Sequence, residues 1–149
     1  MASGIQASVV IAAVTEATDL DLPTVLDLYR SVGWSAYTER PAALAAALAG
    51  STRVVTAHLG GQLVGLARVI SDGASIAYLQ DLLVHPDHRR RGTGAALVTA
   101  ALAPYAAVRQ HVLLTDDEPA QRAFYESLGY CEAGEHAAGP LRAFVRITT

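Results

Sequence analysis

One stretch narrows the choice of fold more than any other: Tyr78-Leu79-Gln80-Asp81-Leu82-Leu83-Val84-His85-Pro86-Asp87-His88-Arg89-Arg90-Arg91-Gly92-Thr93-Gly94. A strand-forming run ends near Val84, Pro86 bends the chain, and Gly92 and Gly94 open a helix. On that helix Gly94, Leu97, Val98, Ala101 and Tyr105 form one apolar stripe. Strand, glycine-bearing turn and helix in this order belong to layered α/β architectures. Such a join also aims several backbone N–H groups at one spot, where the helix dipole favours an anion. Gly92 and Gly94 leave room for a diphosphate to approach the backbone, and Arg89, Arg90 and Arg91 add charge-assisted contacts to it.

The better-known phosphate loops do not fit. All basic residues are Arg, so the loop that requires Gly-Lys-Ser/Thr cannot form, and no Schiff-base lysine exists. The dinucleotide fingerprint needs a third glycine where Leu97 stands. A net charge of −3 argues against a nucleic-acid binder, which carries a broad basic face.

A length of 149 residues suits a single domain, 1–149. The 52% hydrophobic and 17% charged fractions place it among folded globules. Cys131 is the only cysteine, which rules out an intrachain disulfide and a cysteine metal site and suits a reducing, cytoplasmic setting. The segment Met1–Val14 lacks a basic leader, and its apolar run from Val9 is too short for a bilayer, so it reads as a first strand. Two helices follow, opened near Asp21-Pro23 and Thr38-Pro41, with the aromatic loop Gly33-Trp34-Ser35-Ala36-Tyr37 between them. Strands are expected at 53–59 and 63–70, hinged at Gly60-Gly61-Gln62, then at 76–84 and 111–114. A helix from Pro119 to Leu128, capped by Glu118, and a hairpin of 130–136 with 141–147 complete the order. The fold class expected is α/β: a mixed sheet with helices on both faces.

The spacing Arg89-x-x-Gly92-x-Gly94, directly after Leu82-Leu83-Val84-His85-Pro86, resembles the loop of the GNAT superfamily of N-acetyltransferases. The segment 78–94 is most similar to the polyamine-acetyltransferase-like branch, and Phe124-Tyr125-Glu126-Ser127-Leu128-Gly129-Tyr130 resembles a second family motif. The resemblance implies a mostly antiparallel sheet with a splayed central strand pair, and acetyl-CoA as cosubstrate with no metal. It implies that the backbone of Leu82, Leu83 and Val84 pairs with the pantetheine arm. The N–H groups of Arg90, Arg91, Gly92, Thr93, Gly94 and Ala95 would wrap the pyrophosphate, with Arg89 as the motif's leading residue. Arg90 stands where many members have glycine, and its side chain either reaches the 3′-phosphate or points to solvent. Tyr125 would protonate the departing thiolate. Glu118 replaces an asparagine that contacts pantetheine in many members.

The acceptor half is less determined. Related polyamine enzymes carry glutamate where Gln80 stands, so no base transfers to that position. Asp81 is the catalytic alternative, reaching the face of Gln80 only through a bulge; a buried salt bridge with Arg68 is the competing role. His58 and His111 are further options. Trp34 and Tyr37, with Gln80, are the expected substrate-binding residues, and Glu39 is placed to attract an ammonium. The reaction expected is acetyl transfer to the primary amine of a small molecule or peptide by direct attack in a ternary complex. No nucleic-acid or membrane partner is expected, and a homodimer through the C-terminal strands is. The rival is a non-catalytic acyl-CoA-binding or sensor module.

Overall fold

A computed structural model describes residues 7–148 and divides the chain into two compact units, 1–114 and 115–149. The first six residues, part of the segment read above as lacking a leader, lie outside the described residues.

The first unit is built on a five-stranded sheet in sequential order: β1 (Val9–Ala13), β2 (Arg53–Leu59), β3 (Gln62–Ser71), β4 (Ile76–Val84) and β5 (Gln110–Leu113). The first four strands pair antiparallel, β2 to β3 and β3 to β4 through short turns, and β5 joins β4 in parallel after a helical crossover. Between β1 and β2 lie α1 (Leu22–Ser31), the single turn α2 (Ser35–Thr38) and α3 (Pro41–Gly50). Asp21 caps α1 by accepting from Thr24 N at 3.2 Å, which the Asp-x-Pro pattern foretold. The aromatic loop of the sequence reading is thus wound into one helical turn, its backbone closed by Thr38 N donating to Trp34 O at 3.3 Å. The helix α4 (Thr93–Leu102) makes the crossover and ends before Pro104, so Tyr105 of the apolar stripe sits in the turn that follows it.

Helices cover both faces of the sheet, and β3 shows how. Leu66 faces α1 and α3, buried with Val25, Tyr29, Leu44 and Leu48. Its neighbour Gly65 faces the other way, where a Cβ would stand 2.8 Å from Leu97 Cδ1 of α4. Glycine is required there because helix and sheet approach more closely than a methyl group permits.

The second unit contains α5 (Pro119–Ser127) and a short 3₁₀ turn at Ala133–Glu135. The expected C-terminal hairpin is not formed: no strand occurs in 130–148. Arg122 gathers Glu126, Glu132 and Glu135 at 2.8, 3.0 and 2.8 Å and so holds the first half of that segment in a turn against its own helix. The second half is left with Leu141, Phe144, Val145 and Ile147 exposed, because an isolated two-stranded hairpin has too little apolar cover to persist. Among the described residues, no helix is long and apolar enough to cross a membrane.

Candidate active site

The central strand separates from its neighbour where the sequence reading places the donor site. β4 and β5 pair from Ile76↔Gln110 to Leu79↔Leu113, yet β4 runs on to Val84. Leu82, Leu83 and Val84 pair with Ala67, Leu66 and Gly65 of β3. Along their other edge the backbone is beyond the last β4–β5 pair, which is the splay that leaves N–H and C=O groups for a ligand. Leu83 is buried in the core, while Leu82 and Val84 are half-buried.

Past the strand, His85 N donates to Val64 O at 2.8 Å, and Pro86–His88 form one 3₁₀ turn. Arg89 folds back, its Nε donating to Val84 O at 3.2 Å, and so braces the end of β4. Arg90 then takes left-handed backbone with φ 62°, the only non-glycine among the described residues to do so, and Gly92 follows at φ 79°. These two reversals turn the chain into α4, whose first hydrogen bond is Ala96 N to Gly92 O at 3.0 Å. The N–H groups of Thr93, Gly94 and Ala95 therefore lack intrahelical acceptors. A Cβ added at Gly92 would meet nothing within 4 Å, so the space before the helix is open. Thr93 is 4% exposed, and its Oγ1 is buried with no hydrogen-bond partner. An orphaned buried hydroxyl beside free N–H groups is the signature of an anion-binding helix start, and the residues present fit a diphosphate. His88 Nδ1, in the same loop, is also buried and unpartnered. The sequence reading passed over His88; its one signal was the i, i+3 relation to His85, whose ring it meets edge-on at 5.6 Å.

Three of the residues expected on the acceptor side, Tyr37, Gln80 and Asp81, meet at one hydroxyl. β3 and β4 slip register between Arg68↔Asp81 and Val69↔Leu79, which makes Gln80 an extra, bulged residue. The bulge brings Gln80 and Asp81 to the same group: Tyr37 Oη donates to Asp81 Oδ1 at 2.9 Å and stands 3.5 Å from Gln80 Nε2. Asp81 is buried, and its Oδ2 accepts from Tyr29 Oη at 2.9 Å and from Arg68 Nε at 2.5 Å. Of the two roles open to Asp81, the salt bridge with Arg68 is thus present, and both carboxylate oxygens are committed to donors. Burial, then the Asp81 charge, pushes the Tyr29 phenol well above its ordinary pKa. Burial lowers the Arg68 pKa, but the charge and hydrogen bond of Asp81 outweigh it and raise the guanidinium further. Trp34 packs against Tyr29 and Tyr37 at 5.8 and 6.2 Å between ring centres, so it serves as a wall for both. His58 instead lines a cavity of about 410 Å³ with Thr56, Asp19 and Asp21, whose lining includes neither Tyr37 nor the Arg89–Gly94 loop. His111 is half-buried on β5 opposite Ala77.

In the second unit Tyr125 is half-buried on α5, its ring edge-on to Phe124 and Tyr130 at 5.0 and 6.0 Å. Burial, with a smaller effect of Tyr130, pushes its pKa up to about 12. Glu118 occupies the N-cap position as expected, but only its backbone caps: its carbonyl accepts from Gln121 N and Arg122 N, and its carboxylate makes no cap bond.

Comparison with known proteins agrees with this geometry. The sequence profile of the acetyltransferase (GNAT) domain matches residues 50–132, more than half of the chain. The chain belongs to the GNAT acetyltransferase family. A GNAT-family acetyltransferase from Streptococcus pneumoniae TIGR4 superposes with a TM-score of 0.80 at 28% identity, covering 95% of this chain and 98% of that one. An aminoglycoside N-acetyltransferase, AAC(6′)-Iy, solved in complex with CoA, shares the fold with a TM-score of 0.69 at 17% identity, over 96% and 97% of the two chains. In sequence, the GNAT chain is 36% identical over 81 residues to a mycothiol acetyltransferase of Parafrankia sp. (strain EAN1pec). That match takes in 54% of this chain and 24% of the relative, so the chain matches about a quarter of that protein's length.

Proposed function

We propose that this GNAT chain transfers the acetyl group of acetyl-CoA to a primary amine of a small molecule or peptide, by direct attack within a ternary complex. The observation that carries the reading is the start of α4: left-handed Arg90 and Gly92, N–H groups without intrahelical acceptors and open space at Gly92, with the Thr93 hydroxyl buried and unpartnered in the same turn. In this reading the N–H groups of Arg90, Arg91, Gly92, Thr93, Gly94 and Ala95 hold the pyrophosphate, and Arg89 keeps the strand end in place for it. The open edge of Leu82, Leu83 and Val84 lies along the pantetheine. Acetyl-CoA supplies the activated acyl group; the chain orients it, shields it and manages the protons. Tyr125 supplies the proton to the departing sulfur. Trp34, Tyr37 and Gln80 receive the amine, and Asp81 acts from beneath Tyr37.

Relatives guide the choice of acceptor. An aminoglycoside acetyltransferase from a soil metagenome, solved with sisomicin, shares the fold, and the relative from Parafrankia is named for mycothiol. An amino sugar, an aminoglycoside, a polyamine, an amino acid and a peptide N-terminus therefore make up the test panel. Protein, acetyl-CoA and each amine are mixed, and free thiol is followed. Amine-dependent thiol release supports the enzyme. Tight acetyl-CoA binding with no amine-stimulated thiol leaves the acyl-CoA-binding module instead. The free, exposed thiol of Cys131 suits a reducing compartment, so the reading places the protein in the cytoplasm. A homodimer is proposed through the apolar side chains of Leu141, Phe144, Val145 and Ile147, to be checked by sedimentation.

A further inference from the structure

The Tyr37 hydroxyl has its hydrogen-bonding polarity fixed from below. A phenol owns one proton and two lone pairs. The proton is given to Asp81 Oδ1 at 2.9 Å, since a carboxylate can only accept. One lone pair takes Arg68 Nη2 at 3.0 Å. The other faces the exposed amide of Gln80, at a long 3.5 Å. Rotation of Tyr37 is blocked, because its ring lies against Tyr29 at 5.1 Å and beside the Arg68 guanidinium at 5.7 Å. Asp81 is held in turn by Tyr29 and Arg68, and Arg68 Nη1 reaches Ser51 Oγ at 3.4 Å. The buried pair of Arg68 and Asp81 carries no net charge, so the cluster presents a directional acceptor and not a field.

We infer that Tyr37 Oη is the fixed hydrogen-bond acceptor for an N–H of the acceptor amine, with Gln80 as its partner acceptor, and that Asp81, Arg68 and Tyr29 position it. The inference rests on the acyl-transfer reading and names its amine site. An incoming amine displaces only the 3.5 Å contact from Gln80. The freed amide turns over and presents Oε1, so two N–H groups of one nitrogen are held at once. Holding two N–H groups aims the remaining lone pair, which is what attack on a thioester requires. Specificity for amine-bearing compounds therefore comes from Tyr37 and Gln80, while the buried residues act through Tyr37.

The test measures amine affinity for the CoA-loaded protein by calorimetry, beside steady-state kinetics. Tyr37→Phe is expected to weaken amine binding and raise the amine KM by about three- to tenfold, the loss of one hydrogen bond from a neutral amine N–H. The KM for acetyl-CoA should stay within about twofold, a split that a general loss of packing does not give. Gln80 is exposed, so its variants keep the fold: Gln80→Glu should tighten amine binding and Gln80→Leu should weaken it. Should Tyr37→Phe fail to fold, this opposed pair decides alone. Amine binding that ignores both positions overturns the inference, as does a wild-type protein that binds no amine. Amine binding that depends on Tyr37 and Gln80 without thiol release upholds the site and overturns acyl transfer.

Discussion

Arg90 and Gly92 hold left-handed backbone on either side of Arg91, with φ of 62° and 79°. Glycine adopts that conformation freely, but an arginine does so at a cost of roughly 1–2 kcal/mol. Arg90→Gly is expected to raise stability by about 1 kcal/mol in urea unfolding, by removing this strain. If its guanidinium reaches the 3′-phosphate, the change also weakens acetyl-CoA binding; unchanged affinity would place that side chain in solvent. A variant no more stable than wild type would mean that the loop relaxes Arg90 in solution.

Open space surrounds Gly92, so a side chain placed there projects into the region before α4 without striking the protein. Gly92→Glu should fold with a modest loss of stability from its positive φ. It should bind no acetyl-CoA by calorimetry, through bulk and like charge against the diphosphate. Retained binding would remove the loop from the donor site.

The close approach of α4 to β3 gives a test of the fold itself. A Cβ at Gly65 stands 2.8 Å from Leu97 Cδ1 and 3.1 Å from the Leu83 carbonyl oxygen. Gly65→Ala is expected to cost about 1–3 kcal/mol, the usual penalty of overpacking. Because Leu97 is the flexible partner, Leu97→Ala combined with Gly65→Ala should destabilise by less than the sum of the two changes. Additive melting shifts would show that the two residues do not share this contact.

Tyr29 ties stability to alkaline pH. Its pKa is raised by burial first and by Asp81 second, so the folded state keeps a phenolic proton that the unfolded chain releases near pH 10. The sign follows: the contribution is complete below about pH 10, and above it stability falls by about 1.4 kcal/mol per pH unit for each such tyrosine. Tyr29→Phe should be less stable than wild type at pH 8, having lost a donor to Asp81, yet decline more gently above pH 10. Parallel declines in urea midpoints would show that Tyr29 is not the group responsible.

The join from β4 into α4 was legible because its geometry is written locally. Arg89, Gly92 and Gly94 are near neighbours in sequence, and a strand–turn–helix join needs no distant partner to be recognised. The strands and helices of the first unit were legible for a similar reason, since period and caps are short-range signals. The cluster around Tyr37 depends on contacts across the fold. Tyr37 and Asp81 are 44 positions apart, and a single bulge at Gln80 decides that both Gln80 and Asp81 touch the same hydroxyl. Spacing alone left Asp81 between base and salt bridge. The C-terminal segment misled because its β-prone residues signal strands without saying whether a partner strand is within reach.

Tyr125 carries the last prediction. A proton donor to a thiolate must keep its proton through the working pH range, and burial lifts this phenol to about 12. Tyr125→Phe preserves the ring that meets Phe124 and Tyr130 and removes only the hydroxyl. Turnover is therefore expected to fall by more than about tenfold, within the range of general acid catalysis, while acetyl-CoA affinity stays nearly constant. The pH profile adds a second reading. If Tyr125 is the donor, kcat in the wild type should show no alkaline decline centred near the ordinary tyrosine value of about 10. An acyl acceptor whose product leaves slowly would mask the change, so the comparison belongs in single-turnover experiments. An unaltered single-turnover rate would assign Tyr125 to packing on α5 and send the search for the acid elsewhere.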